Sequence, residues 1–423
     1  MATKAALAGV RVLDLSRVLA GPSVTQMLAD FGAEVIKVER PVLGDESRRQ
    51  GVRPIPRDGS NAEDNSGFTA VNRGKKSIAI DLASSEGQEL VRELARKCDI
   101  VVENFKTGGL KRYGLDFESL HAINPKLVYC SITGFGQTGP NRTLPGYDLI
   151  FQAMTGVIAS VGNAAGRPQR VGYPVSDITA GMTATIAVLA ALFHVKAGGG
   201  EGQHIDVSLF DSQLAAMTVT AANYLLADEI PQLVGCDSNV STPYQAFECA
   251  DGQLVVTVNN EGQFAGMCRA LGFPEVADDP RYASNALRME NRDTLIPLLS
   301  EAMKKLPVRE CMNRFAVHGV PCGRIADIGE ALESEQARAR EMVRVIDHPV
   351  KGGTRVVSNP IKFSGTPVQY DLAPPMLAEH TTEVLTDLLD LDAQRIQELA
   401  EAGVVGLPDV ATHRRLVTAQ EGK

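Results

Sequence analysis

Short apolar runs alternate with amphipathic stretches through the first half of the chain. Residues 10–15, 34–38, 100–102 and 127–133 are dominated by Val, Ile and Leu. That is the texture of strands covered on both faces. Residues 77–82 alternate and 203–207 read as one more strand. Between these lie helical stretches at 23–31 and at 84–98, the second with Leu90, Val91, Leu94 and Ala95 on one face. A long apolar run at 178–195 and a helix at 208–226 follow the same alternation. Strand–helix–strand repetition predicts a doubly wound α/β fold around a parallel sheet.

The texture changes near residue 228. Residues 247–258 carry Asp251-Gly252 between two alternating segments, a hairpin signal. Helical patterns run on to about 306, and a charged helical pattern spans 330–343. A strand at 355–358, a Pro-rich extended stretch through 375 and helices at 380–390 and 393–402 complete the pattern. The expected organisation is a large α/β domain begun by residues 1–205, a linker helix at 206–228, a smaller α+β domain at 229–330, and a return segment at 331–423 that completes the large domain.

Composition narrows the function. A net charge of −9 argues against a nucleic-acid surface or an acidic-membrane surface. The seven cysteines have no CxxC spacing, which points to free thiols in a reducing compartment and so to a cytoplasmic protein. No HExxH or comparable histidine pairing suggests a metal. A strand-like run begins almost at once, so no signal peptide is expected. The 178–195 run has about the length of a membrane span. Its threonines, glycine and histidine favour a buried core helix instead.

One stretch concentrates candidate chemistry, from Gly172 through Tyr173-Pro174-Val175-Ser176-Asp177 to Gly181. Proline disfavours helix at the residue before it, so a helix begins only after Pro174. Ser176 and Asp177 then stand at its mouth. A carboxylate there has two uses. It caps the helix by accepting orphan backbone N–H groups, or it serves as a nucleophile that forms a covalent intermediate. Elsewhere, the loop after the first strand reads Leu19-Ala20-Gly21-Pro22 and lacks the G-x-G-x-x-G of a dinucleotide site. Arg40 beside Glu39 suits a phosphate or adenine contact better than a ribose diol. Glu103-Asn104-Phe105 ends a strand where α/β folds place ligand contacts. The long stretch 41–76 has the length of a functional loop.

The joint order of these segments resembles the class III CoA-transferases, the formyl-CoA and carnitine CoA-transferase type. The resemblance rests on Gly9-Val10-Arg11-Val12-Leu13-Asp14-Leu15, Gly32-Ala33-Glu34-Val35-Ile36-Lys37-Val38-Glu39-Arg40, Val102-Glu103-Asn104-Phe105, Ser131-Ile132-Thr133-Gly134-Phe135-Gly136, Gly319-Val320-Pro321-Cys322-Gly323 and Glu379-His380-Thr381. It covers nearly the whole chain. It implies Asp177 as the residue that carries the acyl group. It implies CoA contacts at Leu19, Ala20, Arg40, Ile80, Asn104, Phe105, Gly109, Arg112 and Tyr113, and a Tyr–acid pair beside the thioester at Tyr147 and Asp148. It also implies an interlocked homodimer, with CoA thioester as substrate and no permanently bound cofactor. Read without the resemblance, Arg40 and Arg112 are equally ordinary ion-pair partners, and Phe105 and Tyr147 ordinary core residues.

Two departures from the formyl-CoA transferase pattern shape the substrate expectation. Ala83 replaces a lysine near the CoA phosphates, leaving Arg73, Lys75 or Lys76 to supply charge. A glycine-run lid is absent, and residues 240–247 read VSTPYQAF. The chain looks closer to succinate–hydroxymethylglutarate CoA-transferase. The expected reaction moves CoA from an acyl-CoA, with succinyl-CoA as donor, to a dicarboxylic acid. Arg170, with Arg17 as second candidate, is expected to hold the far carboxylate through a bidentate fork. The ordinary reading of Arg170 is a contact to phosphate or solvent. A 2-methylacyl-CoA racemase is the alternative, although its Gly-His-Asp motif reads Gly146-Tyr147-Asp148 here. A non-catalytic CoA-binding protein is the alternative of another class.

Overall fold

Twelve strands carry the architecture: β1 Arg11–Asp14, β2 Glu34–Glu39, β3 Lys75–Ile80, β4 Ile100–Glu103, β5 Val128–Thr133, β6 His204–Ser208, β7 Tyr244–Cys249, β8 Gly252–Thr257, β9 Cys322–Arg324, β10 Val343–His348, β11 Gly352–Val357 and β12 Val405–Gly406. They belong to a computed structural model that describes residues 5–53, 64–163 and 166–409. The described chain divides into two units. One holds the described residues within 5–157, 171–229 and 338–409, the other those within 158–170 and 230–337.

The first unit is built on a seven-stranded sheet of order β12-β3-β2-β1-β4-β5-β6. All pairings are parallel except β12 against β3. Register explains the apolar runs. Val12 pairs with Val35 and Ile100, and Leu13 with Ile36 and Val101. Successive side chains point to opposite faces. Val12, Val35 and Ile100 therefore join one core, and Leu13, Ile36 and Val101 the other. The helices Ala20–Asp30 and Val175–Gly198 cover the first face; Ser85–Arg96 and Thr381–Leu389 cover the second. The order reverses between β1 and β4. A crevice at the carboxyl ends of strands is expected at that switch point.

The second unit has a three-stranded antiparallel sheet, β7-β8-β9. The expected hairpin forms with Cys249 opposite Gly252. Phe247, Leu254 and Val256 pack with Phe264, Leu295 and Phe315 from its helices. The segment 158–170, which the sequence pattern leaves in the large domain, joins this unit.

Several elements differ from the pattern reading. The 178–195 run is the middle of a longer helix, Val175–Gly198. The 208–226 helix is two, Leu209–Ala216 and Thr218–Ala227. The charged pattern to 343 ends in β10, which pairs antiparallel with β11. Its alternation buries Ile346 against Val356 and Ala373 while Val345 faces out. The pattern reading assigns no strand between 343 and 355, so β10 comes from the structure.

Candidate functional site

The loop after β1 is clamped on two sides. Arg17 N–H donates to Asn104 Oδ1 at 2.8 Å, and Asn104 Nδ2 donates back to the Arg17 carbonyl at 2.7 Å. Val18 N–H reaches Asp45 Oδ1 at 3.2 Å. Val18 has φ +68°, an uncommon conformation for a β-branched residue. Such backbone persists where neighbours over-determine it, and these three bonds do so. Asp45 also pairs with Lys37 at 2.9 Å, both side chains fully buried. Burial alone would raise the Asp45 carboxyl. The Lys37 ammonium and the Ser47 N–H and hydroxyl outweigh it and hold the group well below the usual carboxylate range. Arg48, fully buried on the Phe68 ring and paired with Glu39 at 2.7 Å, pins the long loop that supplies Asp45 and Glu46.

A cavity of about 520 Å³ opens over the carboxyl ends of β1 to β4. Arg40, Ile80, Phe105, Gly109, Arg112 and Tyr113 line it. The Arg112 guanidinium lies 4.5 Å from the Tyr113 ring centre and donates to its hydroxyl at 2.5 Å. Apolar and aromatic walls with several cations suit a ligand that combines a flat ring with phosphates.

A second cavity of about 400 Å³ lies on the other side of the same loop, and Leu19, Ala20, Asn104, Tyr147 and Asp177 line it. Arg17, Phe105 and Lys106 line both cavities. Asp177 sits in the first turn of the Val175–Gly198 helix, with Pro174 before it offering no side-chain cap. Capping falls to Asp148 instead: Ser176 N–H donates to its Oδ1 at 2.8 Å, and Gln152 Nε2 to its Oδ2 at 2.7 Å. The Asp177 carboxylate is thereby left to the cavity. Burial, and then the Asp148 charge, push its pKa up to about 7. An aspartate fully ionised at neutral pH, the ordinary expectation, does not describe this one. The helix reaches the cavity because Gly181 has no side chain. A Cβ there would stand 2.3 Å from Ser23 Oγ and 3.2 Å from the Ala20 carbonyl.

Other expected residues fall elsewhere. Asp148 lines neither cavity and has both oxygens engaged, one of them at the helix start. Arg170 is exposed and belongs to the second unit. The three cations expected to replace the missing phosphate lysine are committed within the protein. Arg73 pairs with Asp30 at 2.6 Å, Lys75 is fully buried on Asp14 at 3.1 Å, and Lys76 bridges Glu34 and Glu383. Lys106, Arg40 and Arg112 face the first cavity in their place. The pattern reading missed Asp45, Glu46 and Lys106. Only the unusual length of the 41–76 stretch hinted at the first two.

Among known proteins, the profile described as CoA-transferase family III matches residues 7–381. A succinate–glutarate CoA-transferase of Agrobacterium fabrum is 43% identical over 388 residues, 91% of this chain and 96% of that protein. A human succinyl-CoA:glutarate CoA-transferase is 39% identical over 399 residues, 94% and 90% respectively. The crystal structure of a CAIB/BAIF family protein from Brucella suis aligns with TM-score 0.83 and 40% identity, covering 91% of this chain and all of that one.

Proposed function

This chain belongs to CoA-transferase family III, and from that premise we propose that it moves CoA from succinyl-CoA to a dicarboxylic acid through an aspartyl-CoA thioester on Asp177. The carrying observation is a half-buried carboxylate that is spared from capping and lines a chamber beside a second, cation-lined cavity. The relatives named for succinate and glutarate support the substrate class. We assign the larger cavity to the nucleotide end of CoA and the smaller one to the acyl group and the acids.

The ionised Asp177 carboxylate attacks the thioester carbonyl and expels CoA thiolate, forming a mixed anhydride. The thiolate then attacks the aspartyl carbonyl and releases the donor acid. The acceptor carboxylate attacks the aspartyl-CoA carbonyl, and the thiolate returns to the acceptor's carbonyl. That last step restores Asp177 and yields the new acyl-CoA. Each step exchanges an oxygen or sulfur nucleophile at a carbonyl, so no general base is needed once Asp177 is ionised. The intermediates hydrolyse, so the chamber must exclude water. The family resemblance further implies an interlocked homodimer, which we adopt as part of the proposal.

The test is mass spectrometry after incubation with succinyl-CoA. The wild-type chain should gain a hydroxylamine-sensitive CoA adduct on the peptide containing Asp177. Asp177→Ala should bind CoA, gain no adduct and transfer nothing. A wild-type chain that binds acyl-CoA without any adduct would instead be a binding protein. Racemization is not favoured, because Tyr147 rather than a histidine faces the chamber, and among the described residues no histidine lines it. An unperturbed tyrosine, with a pKa of about 10, is a poor base at neutral pH.

A further inference from the structure

Arg17 stands where the two cavities meet and contributes to the wall of both. Its guanidinium lies 4.8 Å from the Phe105 ring centre. One nitrogen, Nη1, donates to Glu46 Oε1 at 3.0 Å. The same oxygen accepts from Arg40 Nη2 at 2.8 Å. One carboxylate thus faces two guanidiniums, and the cluster keeps one unit of positive charge at the boundary. The pairing is also incomplete: Arg17 Nε and Glu46 Oε2 are buried, and among the described residues neither has a hydrogen-bond partner. A buried donor or acceptor without a partner is costly. A guanidinium meets a carboxylate best through two parallel N–H bonds, and Glu46 takes only one. Glu46 lines the second cavity together with Asp177.

We propose that Arg17 selects a dicarboxylic acid: its guanidinium exchanges Glu46 for the distal carboxylate of the acid whose near carboxylate meets Asp177. Glu46 is the carboxylate that holds this guanidinium while the acid is absent. The proposal rests on the CoA-transfer reading and names the residue that sets its substrate class. The clamp by Asn104 and Asp45 fixes the backbone of Arg17, so the side chain is aimed before the acid arrives. A monocarboxylic acid of equal length gains nothing from this contact.

The experiment compares glutarate with pentanoate as acceptors, using one acyl-CoA donor. In a ping-pong cycle the acceptor's kcat/KM reports only the steps after the aspartyl-CoA forms, so donor effects cancel. Arg17→Met should lower the ratio of kcat/KM for glutarate to that for pentanoate by about thirtyfold or more, as expected for loss of a charge-assisted contact. Arg17→Lys should recover part of the loss, since it keeps the charge without the fork. Glu46→Gln should lower the glutarate KM by removing the competing carboxylate. An Arg17→Met enzyme that keeps the wild-type preference, or loses both acids equally, overturns the assignment. So does a wild-type enzyme without preference, or an Arg170→Met variant that alone loses it. A Glu46→Gln enzyme with raised glutarate KM overturns the competing role of Glu46. A wild-type chain that transfers CoA to no acid at all overturns the CoA-transfer reading itself.

Discussion

Asp177 departs from its residue type because of where its helix begins. The first turn of a helix normally favours a negative charge. Here burial, with Asp148 nearby, dominates and carries the carboxyl from 3.8 to about 7. The sign of the stability effect follows. Between those values the folded chain holds a proton that the unfolded chain has released, so stability from this group falls as pH rises through that window. Asp177→Asn has no proton to lose. Its melting temperature should match or slightly differ from wild type at pH 4 and exceed it increasingly up to pH 7, then by a constant margin. A margin that shrinks with rising pH would contradict the raised pKa. The wild-type rate of adduct formation should climb over the same upper range, as the nucleophile ionises.

At the scale of elements, the spacing of two helix starts sets the chamber. The Ala20–Asp30 and Val175–Gly198 helices approach each other at Gly181 and Ser23. Gly181→Ala drives Cβ onto Ser23 Oγ, a side-chain end that can turn away. Turning breaks its 2.7 Å bond to the Ala20 carbonyl, at a cost of about 1 kcal/mol. Alanine recovers about 1 kcal/mol in helix propensity, so the net change in stability should be near zero. Gly181→Val lacks most of that gain and overpacks the contact, costing about 1–3 kcal/mol. It should also lower kcat, because Asp177 stands one turn before the contact. Thermal melts and initial rates of both variants provide the check. Equal kcat for Gly181→Val and wild type would show that this spacing does not position the nucleophile.

At the scale of the whole molecule, the Val175–Gly198 helix is long and apolar enough to cross a membrane by length and composition. Ala180, Ala184, Val188 and Leu192 bury one side of it against the sheet. Its other side leaves Phe193 73% exposed and Ile186 70%, and the Thr218–Ala227 helix leaves Leu225 80% and Leu226 87% exposed. Large apolar side chains left open in this way favour a partner that covers them. A second copy, as the proposed homodimer requires, is the expected cover. Sedimentation at micromolar concentration should give a dimer, and Phe193→Asp with Leu226→Asp should weaken it. A wild-type chain that sediments as a monomer would remove the dimer from the proposal.

The sequence by itself determined the large sheet and the place of its ligand crevice. Strands covered on both faces are mostly apolar, so β1, β2, β4 and β5 announce themselves by their Val, Ile and Leu content even though β1 and β2 also bury Asp14 and Lys37. Their alternation with amphipathic helices leaves a parallel doubly wound sheet as the natural arrangement. Pro174 likewise marked the helix start, and the resemblance pointed to Asp177. Local patterns did not reach β10, a short strand that leaves Val345 exposed, or the break at Met217 between two helices of similar composition. Tertiary structure alone decided the chemistry of the carboxylates. Asp148 and Asp177 are the same residue type near the same helix start, yet one caps and the other faces a cavity. It also decided which cations are spent. Lys75 and Arg73 are locked to Asp14 and Asp30, whereas Arg17, paired with Glu46 through one nitrogen, keeps its Nε without a partner among the described residues. Burial and partners come from segments far apart in the chain, and no local pattern carries that information.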